Sequence, residues 1–156
     1  MATSDQSHLQ PAHALAADGR ALNRVLRQAG LTKDSVVRVT GPAGLAAALW
    51  LNRHGYERAA YVHPNWVAAM GSADALLVPH ACGAKELADL LHQGDGVREG
   101  GVLIVQASSD RFSRGFDSLR ALLQPLGYQM EKHICDRGLD IDIARRAGLD
   151  RLSQAA

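Results

Sequence analysis

Apolar and polar positions along this chain follow two periods, and the places where one gives way to the other mark its elements. Residues 36–40 (VVRVT) are a short β-branched run, followed by a turn containing Gly41, Pro42 and Gly44. The Ala/Leu-rich segment 45–53 then reads as a helix, closed by Gly55. Residues 59–63 (AAYVH) form a second strand-like run, which Pro64 ends. This is a β-turn-α-β unit, and the rest of the chain is organised around it. Upstream, Leu15, Leu22, Val25, Leu26 and Ala29 recur at helical spacing and predict a helix over 12–29. Asp18-Gly19 weakens its middle, so Asp18 is an alternative start as the N-cap.

Downstream, residues 65–71 suggest a short helical turn, and 75–79 a buried strand ending at a second turn, 80–83. A helix is expected over 84–92, a glycine-rich loop over 93–101, and a parallel-type strand over 102–106 (VLIVQ). A polar loop, 108–114, leads to an amphipathic helix over 116–124, with Pro125 at its end. Residues 128–135 and 139–144 both alternate, joined by Asp136, Arg137 and Gly138, which is a hairpin signal. Residues 145–156 read as an irregular tail. The expected fold is α/β: a three-layer Rossmann-like, mainly parallel sheet with helices on both faces and a C-terminal antiparallel β-hairpin. Residues 1–11 read as a flexible tail and 12–156 as a single α/β domain.

Composition narrows the class. The 156 residues are 47% hydrophobic and 21% charged, with a formal net charge of +1. Those proportions fit a globular domain with a sizeable core rather than a disordered chain. No basic stripe asks for nucleic acid, and the apolar runs are too short to span a bilayer. The first ten residues carry no basic-apolar export pattern, so a cytoplasmic location is expected, with Cys82 and Cys135 as reduced thiols.

Candidate chemistry clusters at the expected strand ends, where parallel sheets place their sites. Gly41 and Gly44 either cradle a ligand through bare backbone N–H groups or simply make a tight strand-to-helix turn. His63 and Asn65 follow the second strand. His80 and Cys82 follow the third and are candidates as base and nucleophile, or as metal ligands; no metal site is assigned. Ser108, Ser109 and Asp110 follow the fourth, where helix capping accounts for them. Asp140 and Asp142 alternate along the hairpin and read as its solvated face.

Three stretches together resemble the S-adenosylmethionine-dependent methyltransferases of the Rossmann-like class. They are VVRVTGPAG, ADALLV with the later VREGGVLIVQAS, and LRALLQPLGYQMEKHICDRGLDIDIARR. The resemblance implies S-adenosylmethionine, or a related nucleotide, over Thr40, Gly41, Ala43 and Gly44, with His63 or Asn65 near the ribose and His80 on the substrate side. It also marks departures. The family's turn is preceded by an acid and its second strand ends in Asp or Glu, whereas Thr40 and His63 stand here. Only about ten residues separate the second and third expected strands, leaving no space for a further helix-strand-helix. The alternative is a non-catalytic interaction or scaffold protein with no cofactor. The shortening would expose a sheet edge, which points to a homodimer. A lesser alternative is an NAD(P)-binding reductase-like domain, in which Tyr128 and Lys132 have the spacing of a catalytic pair.

Overall fold

The computed structural model describes residues 18–63, 73–79, 84–92, 96–107, 115–136 and 139–148. Helix α1, Gly19–Gln28, starts where Asp18 accepts hydrogen bonds from the N–H groups of Arg20 and Ala21. The aspartate therefore caps two of the donors a helix start leaves without partners. Strand β1 is Val37–Val39, helix α2 Gly44–Arg53, and strand β2 Ala59–Tyr61. Strand β3 (Ala73–Val78), helix α3 (Ala84–His92), strand β4 (Val97–Ala107) and helix α4 (Gly115–Leu123) follow. A 3-10 turn at Gln124–Leu126 leads into strands β5 (Tyr128–Asp136) and β6 (Leu139–Arg146).

The strands form one six-stranded sheet in the order β2-β1-β3-β4-β6-β5. The first four are mutually parallel, and β6 runs antiparallel to both β4 and β5. Two apolar clusters cover the two faces. Leu22, Val25 and Leu26 of α1 and Ala47, Ala48 and Leu51 of α2 pack on Val37, Val39, Leu77, Ile104, Ile141 and Ile143. On the other face, Leu87 and Leu90 of α3 and Leu119 and Leu123 of α4 cover Leu76, Val78, Leu103, Val105 and Ala144. Alternation along each strand thus feeds two cores, which is why β3 and β4 read as unbroken apolar runs. This is the α/β Rossmann-like arrangement the sequence pattern predicts.

Several boundaries differ from expectation. The glycine-rich run 93–101 was expected as a loop, yet β4 already begins at Val97. Ala73 pairs with Val97 while Ala75 pairs with Val102, so four residues of β4 oppose one of β3 in a bulge. Gly101 permits it: a Cβ there would lie 2.6 Å from Val97 Cγ1 and 2.8 Å from the Asp74 carbonyl oxygen. Glycines that look like a loop in sequence are here the residues that let two backbones meet. Residues 145 and 146 extend β6 instead of starting a tail. The predicted helical turn at 65–71, the turn at 80–83 and the loop at 108–114 lie outside the described residues. Among the described residues no helix is long and apolar enough to cross a membrane.

Candidate functional site

All four parallel strands point their C-terminal ends to one edge of the sheet, where the β1–α2 turn lies. Val39 is fully buried, and the next residue, Thr40, is 1% exposed with its backbone N–H donating to the Leu77 carbonyl at 3.1 Å. Its hydroxyl is enclosed, and among the described residues Oγ1 has no hydrogen-bond partner. Such a group costs free energy unless something else meets it. Gly41 has φ +97°, a conformation that favours glycine, and the nearest atom to a Cβ there would be Val78 Cγ1 at 3.9 Å. Among the described residues, nothing comes nearer to that Cβ position than Val78.

Gly44 differs. It is buried in the first turn of α2, and a Cβ would lie 3.0 Å from the Tyr61 ring. Its N–H donates to the Gly41 carbonyl at 3.0 Å, so that donor closes the turn and faces no ligand. Ala43 is the N-cap of α2 and supplies no side-chain hydrogen bond to it. The N-cap residue itself therefore leaves the positive end of the helix without a side-chain cap.

Tyr61, which sequence reasoning overlooked, lies against Gly44 and is 37% exposed beside the turn. Nothing in an isolated AAYVH run marks it; only the pairing Val39↔Tyr61 places it there. His63 is exposed two residues further on. Asn65, His80, Cys82, Ser108, Ser109 and Asp110 lie outside the described residues. No carboxylate stands in the sequence at Thr40–Gly44 or at Tyr61–His63. Among the described residues the turn offers backbone and hydroxyl groups, which bond more weakly to a hydroxyl than a carboxylate would.

Further along the same edge is a second cluster. Val105 pairs with Asp142, and Asp142 with His133; Ala107 pairs with Asp140, and Asp140 with Cys135. His133 Nδ1 lies 2.5 Å from Asp142 Oδ1, Cys135 Sγ lies 3.2 Å from His133 Nε2, and Sγ donates to Asp140 Oδ1 at 3.0 Å. The expectation of a solvated acidic face is corrected here. Asp142 is 5% exposed, on the face covered by α3 and α4. Burial pushes its pKa upward, against the hydrogen bond and charge of His133. The hydrogen bond to Asp140 raises that of the exposed Cys135 thiol, with desolvation adding to it.

A shift in strand register creates this cluster. From Tyr128 to Met130 the β5 residues pair in one parity with β6; between Met130 and Lys132 the pairing slips by one. Tyr128 and Met130 therefore pack with α3 and α4, while Lys132 crosses to donate its Nζ to the Gln28 carbonyl of α1. The slip turns His133 and Cys135 towards the two aspartates. It also separates Tyr128 from Lys132, so the catalytic-pair spacing does not bring those residues together.

At the opposite edge, two clefts of about 310 and 350 Å³ lie around Asp74, Arg98, Gly100 and Arg145, and around Gln129, Arg146 and Gly148. Arg98 Nε donates to Asp74 at 2.5 Å, and Arg145 donates to the Gly100 carbonyl at 2.7 Å. These bonds tie the β4 bulge to β3 and β6. Both clefts lie at the N-terminal ends of the parallel strands, away from the β1–α2 turn.

No protein-family model matches the chain, and no curated protein sequence matches it. Solved structures do. The ribosomal protein L11 methylase of Lactobacillus delbrueckii subsp. bulgaricus superposes with TM-score 0.57 at 14% identity, over 83% of this chain and 78% of that one. An O-methyltransferase family 2 protein from Planctomyces limnophilus, in complex with apigenin, gives 0.54 at 17% identity. The match covers 83% of this chain but only 47% of that longer one. A putative hemolysin from Lactococcus lactis gives 0.58 at 8% identity, over 86% and 93% of the two chains. The chain has a methyltransferase-like fold. At these identities the likeness is one of fold, and function has to be argued from the site.

Proposed function

We infer that this methyltransferase-like protein binds S-adenosylmethionine, or a closely related nucleoside, at the Thr40–Gly44 turn, and that it binds weakly. One observation carries the reading. Thr40 presents a buried hydroxyl without a protein partner among the described residues, directly before a glycine whose nearest described side-chain atom, measured from the position of a Cβ, is Val78 Cγ1 at 3.9 Å. A ligand polar group seated over Gly41 would satisfy that hydroxyl and meet the start of α2, which its N-cap Ala43 leaves without a side-chain cap. Tyr61 offers an aromatic wall on the β2 side, and His63 stands where the resemblance expects the ribose. A neutral histidine there makes a weaker bond than a carboxylate would, which is why low affinity is expected.

The ligand's sulfonium, when bound, supplies an electrophilic methyl group. The protein's own part, on the residues available, is to hold and orient the ligand. No described side chain at the turn is placed to take a proton from an acceptor, so the reading stops at binding. Asn65, His80 and Cys82 keep their proposed places at this edge on sequence grounds alone. Isothermal calorimetry of the full chain with S-adenosylmethionine and S-adenosylhomocysteine tests the reading. Saturable one-site heat at millimolar ligand or below is expected; its absence for both ligands removes it.

A second reading is a scaffold that assembles as a homodimer, and one observation favours it. Leu45 and Leu49, one helical turn apart on the outward side of α2, are 56% and 49% exposed, next to the edge strand β2 and the half-exposed Tyr61. Light scattering at micromolar protein is expected to give twice the 16.7 kDa chain mass, and Leu49→Lys to return it to one. A monomer throughout ends this reading.

A further inference from the structure

The hairpin cluster holds three different donor types on adjacent strand positions. His133 Nε2, Cys135 Sγ and Asp140 Oδ1 form a triangle with sides of 3.2, 3.0 and 3.7 Å. A zinc ion held tetrahedrally at its usual bond lengths needs donor-to-donor separations of about 3.4–3.6 Å. The three atoms would have to move by only a few tenths of an ångström, within the reach of side-chain torsions alone. The backbone already fixes which residues face each other, because Cys135 pairs with Asp140 and His133 with Asp142 in the antiparallel ladder.

The fourth residue gives the cluster its direction. Asp142, almost fully buried, accepts the hydrogen bond of His133 Nδ1 at 2.5 Å. In a neutral ring that donates from Nδ1 to Asp142, Nε2 is the nitrogen left for a metal, and it lies 3.2 Å from Cys135 Sγ and 3.7 Å from Asp140 Oδ1. Carboxylate–imidazole–metal arrangements use this second contact to orient the ring and raise its basicity. A buried aspartate in an otherwise apolar layer has a purpose if it holds a ligand in place. His133, Cys135 and Asp140 are partly exposed, so an ion can reach them from solvent.

We propose that His133, Cys135 and Asp140 form a binding site for a divalent transition metal of the zinc class, with Asp142 as the positioning residue for His133. The mixed nitrogen, sulfur and oxygen set suits Zn²⁺ and Co²⁺ and disfavours Mg²⁺ and Ca²⁺, which take oxygen donors. Coordination converts the Cys135 thiol to thiolate, and its proton, now donated to Asp140, passes to solvent. Three protein donors leave one position of a tetrahedron for water or another oxygen or nitrogen donor. This site is independent of ligand binding at Thr40–Gly44.

The test uses the full chain freed of metal by a chelator, then titrated with Co²⁺ and Zn²⁺ at neutral pH. One equivalent of Co²⁺ is expected to produce thiolate-to-metal charge-transfer absorption and tetrahedral d–d bands, and Zn²⁺ to abolish both. Cys135→Ser, at an exposed position that leaves the fold intact, removes the charge-transfer band. His133→Gln lowers affinity at least tenfold. Asp142→Asn keeps all three donors and is expected to weaken binding by about 10- to 100-fold. Thermal unfolding rises with Zn²⁺ in the parent and not in Cys135→Ser. No stoichiometric binding, or a charge-transfer band that survives Cys135→Ser, overturns the assignment; so does Mg²⁺ competing equally with Zn²⁺.

Discussion

Replacing Thr40 with valine separates stability from ligand binding, because the two should move in opposite directions. Threonine and valine have nearly the same shape and both suit a strand end. The backbone bond from the Thr40 N–H to the Leu77 carbonyl is retained. What changes is the hydroxyl, which is enclosed in a residue only 1% exposed and has no partner among the described residues. An uncompensated buried hydroxyl costs about 1–3 kcal/mol. Removing it at the low end of that range should stabilise the protein by about 1 kcal/mol, or ~2–4 °C in melting temperature for a chain of this size. If the hydroxyl meets a ligand, the same change removes one neutral hydrogen bond, worth about 0.5–1.5 kcal/mol, and weakens binding by roughly two- to tenfold. Urea unfolding and calorimetry with S-adenosylhomocysteine read the two effects. A variant that loses 1 kcal/mol or more refutes the reasoning, since the hydroxyl then has a partner within the protein. Unchanged ligand affinity refutes its role in the site.

Two further predictions concern Gly44 at the turn and Asp74 at the opposite edge. Gly44→Ala adds a Cβ 3.0 Å from the Tyr61 ring, so crowding of about 1–3 kcal/mol should outweigh the ~1 kcal/mol of helix propensity gained. Tyr61→Ala in the same chain should then reverse the sign of the Gly44→Ala effect in a double-mutant cycle, and a loss undiminished by it would show that the clash is elsewhere. Asp74 has its pKa held below 3.8 by the Arg98 hydrogen bond first, and by the Val36 N–H at 2.7 Å. A depressed folded-state value means the charged form stabilises the fold above pH 3.8, and that contribution is lost as pH falls through the folded value. Asp74→Asn should therefore be less stable by on the order of 1 kcal/mol at neutral pH, with the gap closing below pH 4. A gap that stays constant into acid would show that the charge contributes nothing.

The fold was readable in the sequence where local chemistry and tertiary packing agree. Asp18 before Gly19 marked the alternative start of a helix expected over 12–29, and it is the N-cap of α1; VLIVQ marked the C-terminal half of β4, and the alternation at 128–144 the hairpin. Helix α3 matches its expected limits. The sequence was silent where pairing decides the outcome. A glycine-rich stretch looks like a loop until Asp74 and Val97 are seen pressed against Gly101. Asp142 looks solvated, because alternation alone cannot tell which face of a hairpin strand a helix covers. His133 and Cys135 did not register as partners of the aspartates, since a one-residue slip after Met130 sets their side of the strand. The turn itself was legible as a turn. That Gly44 answers to Tyr61 while Gly41 meets only Val78, at 3.9 Å, among the described residues required the structure.

The central claim concerns where a ligand binds, and amide chemical shifts report that directly. Titrating the ¹⁵N-labelled chain with S-adenosylhomocysteine should perturb Thr40, Gly41, Gly44 and Tyr61 together, saturating along one isotherm. Perturbation confined to Asp74, Arg98 and Gly100 at the opposite edge, or none at millimolar ligand, would contradict it.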